Sequence, residues 1–249
     1  MLKNKVYIVT GANGRLGSAL TDHLIKNSAK VIMADQNFKF NKTNYPKEHL
    51  IFKSDLTKEK NIKKLLAEGK KKYGSIDGVI HCLYPKTKDW GTPAASLNAK
   101  SLKENLFKQL GVTILTAQLV INYFLKDKIK GKLILISSIQ GVRSPKFNHY
   151  KGLNMHSPVE YTAIKSGIIS MTKYFAKCYK KNGIAVNCVS PGGIFDGQPK
   201  KFIAKYLNEC GNKGLLNGED ITGTIIHLLS DAAKHTNGQN IVVDDSWSL

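Results

Sequence analysis

Seven short apolar runs, rich in β-branched residues, alternate with amphipathic segments from one end of the chain to the other. The runs are residues 6–10, 30–34, 49–52, 78–82, 132–137, 184–189 and 240–243; the segments between them include 15–26, 58–73, 101–125, 158–180 and 218–229. Runs that are apolar at every position, without a polar alternate face, are strands buried on both sides. Strands of that kind, separated by helices, give an α/β doubly wound sheet of mainly parallel strands with helices on both faces.

A length of 249 residues permits one large α/β domain or two small ones. No repeat and no Pro/Gly-rich linker divides the chain, so a single domain over residues 1–249 is expected. The loosest stretches, 84–99, 141–157 and 194–217, read as loops or lids within it. With 42% hydrophobic residues the chain is not disordered, and no apolar run reaches the roughly 18–20 residues that cross a bilayer. Its first residues lead straight into a strand, which is not the pattern of a secretory signal; a cytoplasmic chain without membrane partners is expected.

The formal charge of +20 invites a nucleic-acid reading. Of the 38 basic residues, however, only Arg15 and Arg143 are arginines, the type that reads bases and clamps phosphates bidentately. The segment 58–73 shows where the lysines go: Ile62, Leu65 and Leu66 form one apolar stripe, and Lys58, Lys60, Lys63, Lys64, Lys70, Lys71 and Lys72 surround it. Solvated helix faces explain most of the charge, and nucleic acid is not an expected partner. Cys82, Cys178, Cys188 and Cys210 show no C-x-x-C spacing, so neither a disulfide framework nor a zinc site is indicated. His81, His149 and His156 share no ligand spacing, and no metal is expected.

Between the first run and the first helix lies Thr10-Gly11-Ala12-Asn13-Gly14-Arg15-Leu16-Gly17. Glycines there permit a tight turn and close approach of a pyrophosphate to the N–H groups that open the helix. No Gly-Lys-Ser/Thr follows, so the turn is not a P-loop. Asp35 ends the second run, 18 residues after Gly17, where a carboxylate accepts hydrogen bonds from ribose hydroxyls and repels a 2′-phosphate. Asp35 therefore favours NAD(H); Arg15, a cation within reach of a 2′-phosphate, keeps NADP(H) as the alternative.

Tyr161 and Lys165 stand at i, i+4 in a helical segment and share one face. An ammonium beside a phenol favours the phenolate and is expected to lower the tyrosine pKa toward working pH. Such a tyrosine can exchange a proton with a carbinol or carbonyl oxygen. Ser138 follows the fifth run, at the carboxyl edge where such sheets bind ligands, and its hydroxyl can hold the same oxygen.

In their fixed order, the glycine turn, Asp35, Asp55-Leu56, Ser138, Tyr161/Lys165 and Asn187-Cys188-Val189-Ser190-Pro191-Gly192-Gly193 resemble the short-chain dehydrogenase/reductase family over essentially the whole chain. The last run, within Gly238-Gln239-Asn240-Ile241-Val242-Val243-Asp244, resembles that family's final strand. The resemblance implies a Rossmann-type sheet of order 3-2-1-4-5-6-7. It also implies Tyr161 as general acid/base, Lys165 as its partner and a ribose ligand, and Ser138 as the residue that orients the substrate oxygen. The cofactor contacts it implies are Gly11, Asn13, Gly14, Arg15, Leu16, Gly17, Asp35, Asp55, Leu56, Cys82, Leu83, Pro191, Gly192 and Ile194, together with Tyr161 and Lys165.

Four positions depart from the family pattern. Arg15 stands where a glycine is usual. His81-Cys82-Leu83-Tyr84 replaces Asn-Asn-Ala-Gly, and sets a ring at Tyr84 where space is normally left beside the nicotinamide. Gln109 takes the place of the asparagine that completes a proton relay, and Asp245-Ser246 replaces Gly-Gly. Ser138 and Tyr161 are also 23 residues apart, about ten more than is usual. The extra residues, 141–157, carry Arg143, Lys146, His149, Tyr150 and Lys151.

Segments such as Cys82-Leu83-Tyr84-Pro85 and Ser144-Pro145-Lys146-Phe147 resemble a subgroup associated with bacterial surface glycans, including flagellin modification. An anionic sugar, phosphorylated or nucleotide-linked, then becomes the expected small-molecule substrate, with Tyr84, Gln140, Arg143, Lys146 and Phe195 as expected contacts. Alternatives remain: an NADPH-dependent 3-oxoacyl-carrier-protein reductase whose lysines dock an acidic carrier, and a dinucleotide-binding protein without turnover. By the same resemblance, a homodimer or homotetramer pairs through the helices at 101–125 and 158–180.

Overall fold

The computed structural model describes residues 2–38 and 45–249. Seven strands, β1 (Val6–Thr10), β2 (Lys30–Asp35), β3 (Leu50–Lys53), β4 (Gly78–His81), β5 (Lys132–Ile136), β6 (Ala185–Pro191) and β7 (Asn240–Val243), form one sheet. Its order is β3-β2-β1-β4-β5-β6-β7, and every neighbouring pair is parallel. The apolar runs explain the layering directly. Along β1, Val6 and Ile8 enter the core on one face, while Tyr7 and Val9 enter the core on the other. Residues 31–34 of β2 and 133–135 of β5 divide in the same way.

The first face is covered by α2 (Glu59–Tyr73), α4 (Val112–Lys126) and α5 (Val159–Cys178), the second by α1 (Arg15–Lys26) and α7 (Gly218–Leu229). The stripe Ile62, Leu65, Leu66 of α2 is buried as expected, with its lysines outside. A third, smaller core packs Ile139, Phe202, Tyr206, Leu215 and Trp247 beyond the carboxyl edge of the sheet.

Two expectations need correction. The stretch 101–125 is not one helix: α3 (Ala99–Leu106), opened by the Asn98 side chain, passes through a π turn (Phe107–Gly111) before α4 begins. A π turn carries one extra residue, and here it leaves Gln109 pointing into buried surroundings. The stretch 194–217 is not all loop, since it contains α6 (Lys200–Leu207). Phe202 and Tyr206, one helical turn apart, are its buried anchors. Among the described residues, no helix is long and apolar enough to cross a membrane.

Candidate active site

The carboxyl ends of β1, β2, β4, β5 and β6 open onto one cleft of about 640 Å³, within the range of small-molecule sites. Its first end is the glycine turn. Gly11 has φ +68°, and a Cβ there would sit 2.7 Å from the Cys82 carbonyl oxygen; a Cβ on Gly17 would collide with the Gly11 backbone. Only glycine fits either place, because the turn packs backbone against backbone at the start of α1. Gly11, Gly14, Arg15, Leu16 and Gly17 line the cleft. Asn13 holds the turn instead: its N–H donates to Asp35 Oδ2 at 3.1 Å.

Asp35 also accepts from the Asn37 N–H at 3.1 Å and faces the cleft, as do Asp55 and Leu56. Asp55 is turned back on its own loop, accepting from the Thr57 N–H at 3.0 Å and the Thr57 hydroxyl at 2.6 Å. Arg15 reaches across the cleft, where its Nε donates to Asp196 Oδ1 at 2.7 Å and its Nη2 contacts the same oxygen.

At the middle of the cleft, Ser138, Tyr161 and Lys165 come together with Cys82, Leu83 and Tyr84 from the end of β4. The Ser138 hydroxyl oxygen accepts from the Gln140 N–H at 3.2 Å. Lys165 Nζ donates to the Ile136 carbonyl at 2.9 Å and lies 5.4 Å from the Tyr161 ring centre and 5.7 Å from that of Tyr84. Tyr84, Trp90 and Tyr161 meet edge to face in pairs, with centres 5.7 to 6.0 Å apart.

The charge balance differs from the simple expectation. Burial raises the Tyr161 pKa, and the Ser138 hydroxyl opposes it without reversing it. Burial instead lowers Lys165 to about 8. The desolvation that pushes the phenol up thus also weakens the ammonium meant to bring it down. His81 is buried with Nδ1 3.1 Å from the Thr10 hydroxyl, and burial with the nearby Lys165 lowers it to about 3, which makes it a neutral structural group. Burial pushes the Cys82 thiol up to about 12, so it is no nucleophile.

Pro191, Gly192 and Ile194 line the opposite wall, where the loop after β6 is pinned by the Gly193 N–H donating to Tyr206 Oη at 2.6 Å. The substrate end is aromatic: Trp90, Tyr150, Phe202, Tyr206 and Trp247 line it with Gln140, whose Oε1 accepts from the Ser157 hydroxyl at 2.7 Å.

Several expected contacts lie elsewhere. Gln109 is buried away from the cleft lining, in the π turn, and neither end of its amide has a partner among the described residues. Arg143 and Phe195 do not line the cleft, and Phe195 is exposed. Lys146 is also outside the lining; its ammonium is taken by Glu209 at 2.7 Å and sits 5.0 Å from the Trp247 ring centre. A lysine in a loop cannot be told from a paired one by sequence, because its partner here lies 63 residues away. Lys86, just after β4, does line the cleft. Phe202 and Tyr206 are among the lining residues that the sequence reading missed. The i, i+4 aromatic pair in α6 was their one signal. Among the described residues, no group of His, Cys, Asp or Glu is arranged to hold a metal.

Comparison with known proteins agrees with this geometry. A family model described as Enoyl-(Acyl carrier protein) reductase matches residues 11–247. The chain is 38% identical to "Post-translational flagellin modification protein A" of Campylobacter coli, over all of both chains. It is 27% identical to the 7alpha-hydroxysteroid dehydrogenase of Bacteroides fragilis, covering 99% of this chain and 95% of that one. Among solved structures, a short chain dehydrogenase from Leptospira borgpetersenii with bound NAD+ superposes with a TM-score of 0.91. It is 28% identical, and the match covers 100% of this chain and 94% of that one.

Proposed function

The chain belongs to the short-chain dehydrogenase/reductase family, and from that premise we propose an NAD(H)-dependent oxidoreductase that acts on a secondary alcohol, or its ketone, in a sugar derivative. The observation that carries this reading is the single cleft. It joins a glycine turn and an acidic Asp35 at one end to Ser138, Tyr161 and Lys165 at its middle.

The residues fit a nicotinamide dinucleotide. Gly11, Gly14 and Gly17 line the cleft at the start of α1, where backbone N–H groups suit a diphosphate, with Arg15 beside them. Asp35 accepts from the Asn13 and Asn37 backbone N–H groups and faces the cleft, where its carboxylate can accept from ribose hydroxyls and repels a 2′-phosphate. Asp55 and Leu56 flank the adenine position, while Cys82, Leu83, Pro191, Gly192 and Ile194 border the nicotinamide position. Bound there, the cofactor supplies or accepts the hydride.

This chain's own residues handle the proton. Tyr161 Oη gives it to, or takes it from, the substrate oxygen. Ser138 accepts the Gln140 N–H through one lone pair, and its O–H, beside the Tyr161 phenol, is placed to donate to that oxygen. Lys165, tethered to Ile136 O, keeps two further N–H donors for a ribose hydroxyl and places its charge beside the phenol. Tyr84, Trp90 and Lys86 then border the substrate. Gln109 takes no part in this scheme as a side chain that touches substrate or cofactor.

The sugar reading is supported by the aromatic walls, which suit the C–H face of a pyranose, and by the flagellin-modification relative. The Lys86 ammonium is the group available for an anionic substituent. Pairing of two copies through α4 and α5 is supported by the exposed rings of Phe107 and Tyr174 and by Ile114; a monomer by light scattering would refute it.

Titration with NADH and NADPH, followed by turnover of a sugar panel and of acetoacetyl thioesters, tests the reading. Tighter NADH binding and turnover of a sugar are expected. Tighter NADPH binding with thioester reduction would point to the carrier-protein reductase, and NADH binding without any turnover to a dinucleotide-binding protein.

A further inference from the structure

Two buried polar atoms at the far end of the cleft have no hydrogen-bond partner among the described residues: His149 Nε2 and Trp247 Nε1. Both residues are 3% exposed, and both line the cleft. They come from opposite ends of the sequence features that set this chain apart. His149 lies in the long insertion, Trp247 in the C-terminal tail, and their ring centres are 6.1 Å apart.

The surroundings are built to hold them. Trp247 stacks on Tyr206 at 12° with centres 5.6 Å apart, and Tyr206 is fixed to the loop after β6 through the Gly193 N–H. The tail itself is strapped down by Asp245. That residue adopts φ +53°, unusual for any residue but glycine, while its carboxylate accepts from the backbone N–H groups of Asn212, Lys213 and Gly214 at 3.1, 2.6 and 2.8 Å. A strained backbone position, secured by three donors, carries a tryptophan whose N–H is then left unmade.

Packing alone does not call for nitrogen at either place. A buried donor or acceptor without a partner destabilises a fold, and a phenyl ring would fill much of the same space without that penalty. The nearest acid, Glu209, has Oε1 3.9 Å from His149 Nε2, beyond hydrogen-bond reach, and is already engaged by Lys146. Burial lowers the His149 pKa, so the imidazole is neutral and offers no counter-charge to an anion.

We propose that His149 and Trp247 form a distal specificity subsite that hydrogen-bonds a neutral donor–acceptor substituent, a hydroxyl or a carboxamide, on the substrate ring. The indole N–H donates to the substituent's oxygen, and the imidazole nitrogen completes the pair. An anionic group is directed instead toward Lys86, because the ammonium beside this end, Lys146, is already paired with Glu209. The inference rests on the oxidoreductase reading and adds to it the chemical class recognised at one end of the substrate.

The test uses the NAD+-loaded enzyme with three probes: N-acetyl-D-glucosamine, D-glucose 6-phosphate and cyclohexanol, which is too small to reach the distal end. Variants His149→Phe and Trp247→Phe remove the nitrogen and keep a ring; His149→Gln restores donor and acceptor. The ratio of kcat/KM for N-acetyl-D-glucosamine to that for cyclohexanol is expected to fall at least fivefold in both Phe variants, chiefly through KM. The Tm should hold or rise, and His149→Gln should recover part of the ratio.

An unchanged ratio overturns the subsite. A fall in the ratio accompanied by a fall in Tm also overturns it, because the rings are then structural only. Preference for D-glucose 6-phosphate with the same loss in the Phe variants overturns the neutral specificity. An enzyme that binds NADH and oxidises none of the probes overturns the oxidoreductase reading itself, and the subsite with it.

Discussion

Arg15 and Asp196 meet across the mouth of the cleft, with Arg15 Nε donating to Asp196 Oδ1 at 2.7 Å, and so join the glycine turn to the loop after β6. Both side chains are more than half exposed, and an exposed pair of this kind adds less than about 1 kcal/mol to stability. Its consequence lies in binding, because a diphosphate in the glycine turn competes with Asp196 for the same guanidinium.

Asp196→Asn should therefore leave the melting temperature nearly unchanged and tighten NADH, lowering Kd about two- to fivefold as Arg15 is released to the diphosphate. Isothermal titration with wild type and variant measures this. A weaker complex would mean that the ion pair helps to shape the site rather than to compete for it.

Lys165 gives the protein a distinct alkaline signature. Its pKa is lowered to about 8 in the folded chain from an ordinary value of 10.5. Between these values the unfolded chain binds the proton that the folded chain has released, so this group's contribution raises stability as pH climbs from about 8 to 10.5. Below pH 8 both states are protonated and the penalty of the buried ammonium is constant. Compared with Lys165→Met at each pH, wild type should gain relative stability over that window in chemical denaturation. Activity should run the other way. Loss of the ammonium removes the charge beside Tyr161, so kcat/KM should fall above about pH 8.

Tyr206→Phe isolates the anchor of the loop after β6. The half-buried Gly193 N–H would lose its acceptor at 2.6 Å, a loss that costs about 1 kcal/mol. Thermal denaturation should show the loss, and KM for substrate should rise because Gly193 and Tyr206 both line the cleft. An unchanged Tm would show that the N–H finds another partner.

Legibility in the sequence followed physical range. The apolar runs give the inner strands because burial on both faces leaves no choice of residue type: residues 6–10, all buried, are the observed β1 to the residue. The half-exposed edge strand β7 was read from its β-branched residues at 240–243. The glycine turn was legible for a similar reason, since a positive φ and a close backbone approach admit only glycine at Gly11. Tyr161 and Lys165 were readable because their pairing is local to one helical turn.

What depended on distant partners was not. The neutralisation of Lys146 by Glu209, the Asp245 strap and the convergence of His149 with Trp247 are each set by residues tens of positions apart. The π turn at Phe107–Gly111 escaped because the apolar spacing around it fits a continuous α-helix and Gly111 alone does not mark one extra residue. Of the cations expected near the substrate, Arg143 and Lys146 lie outside the cleft lining, and no local pattern marks that, because the Glu209 partner of Lys146 is distant in sequence.

Stopped-flow hydride transfer by Tyr161→Phe, with NAD+ and a substrate that wild type oxidises, is the decisive test. Removal of one phenolic oxygen should cut the rate about 10²- to 10⁴-fold, the usual span for a positioned acid/base, while NADH titrates with nearly the wild-type Kd. A variant that binds NADH and transfers hydride within a factor of a few of wild type would contradict Tyr161 as the proton carrier.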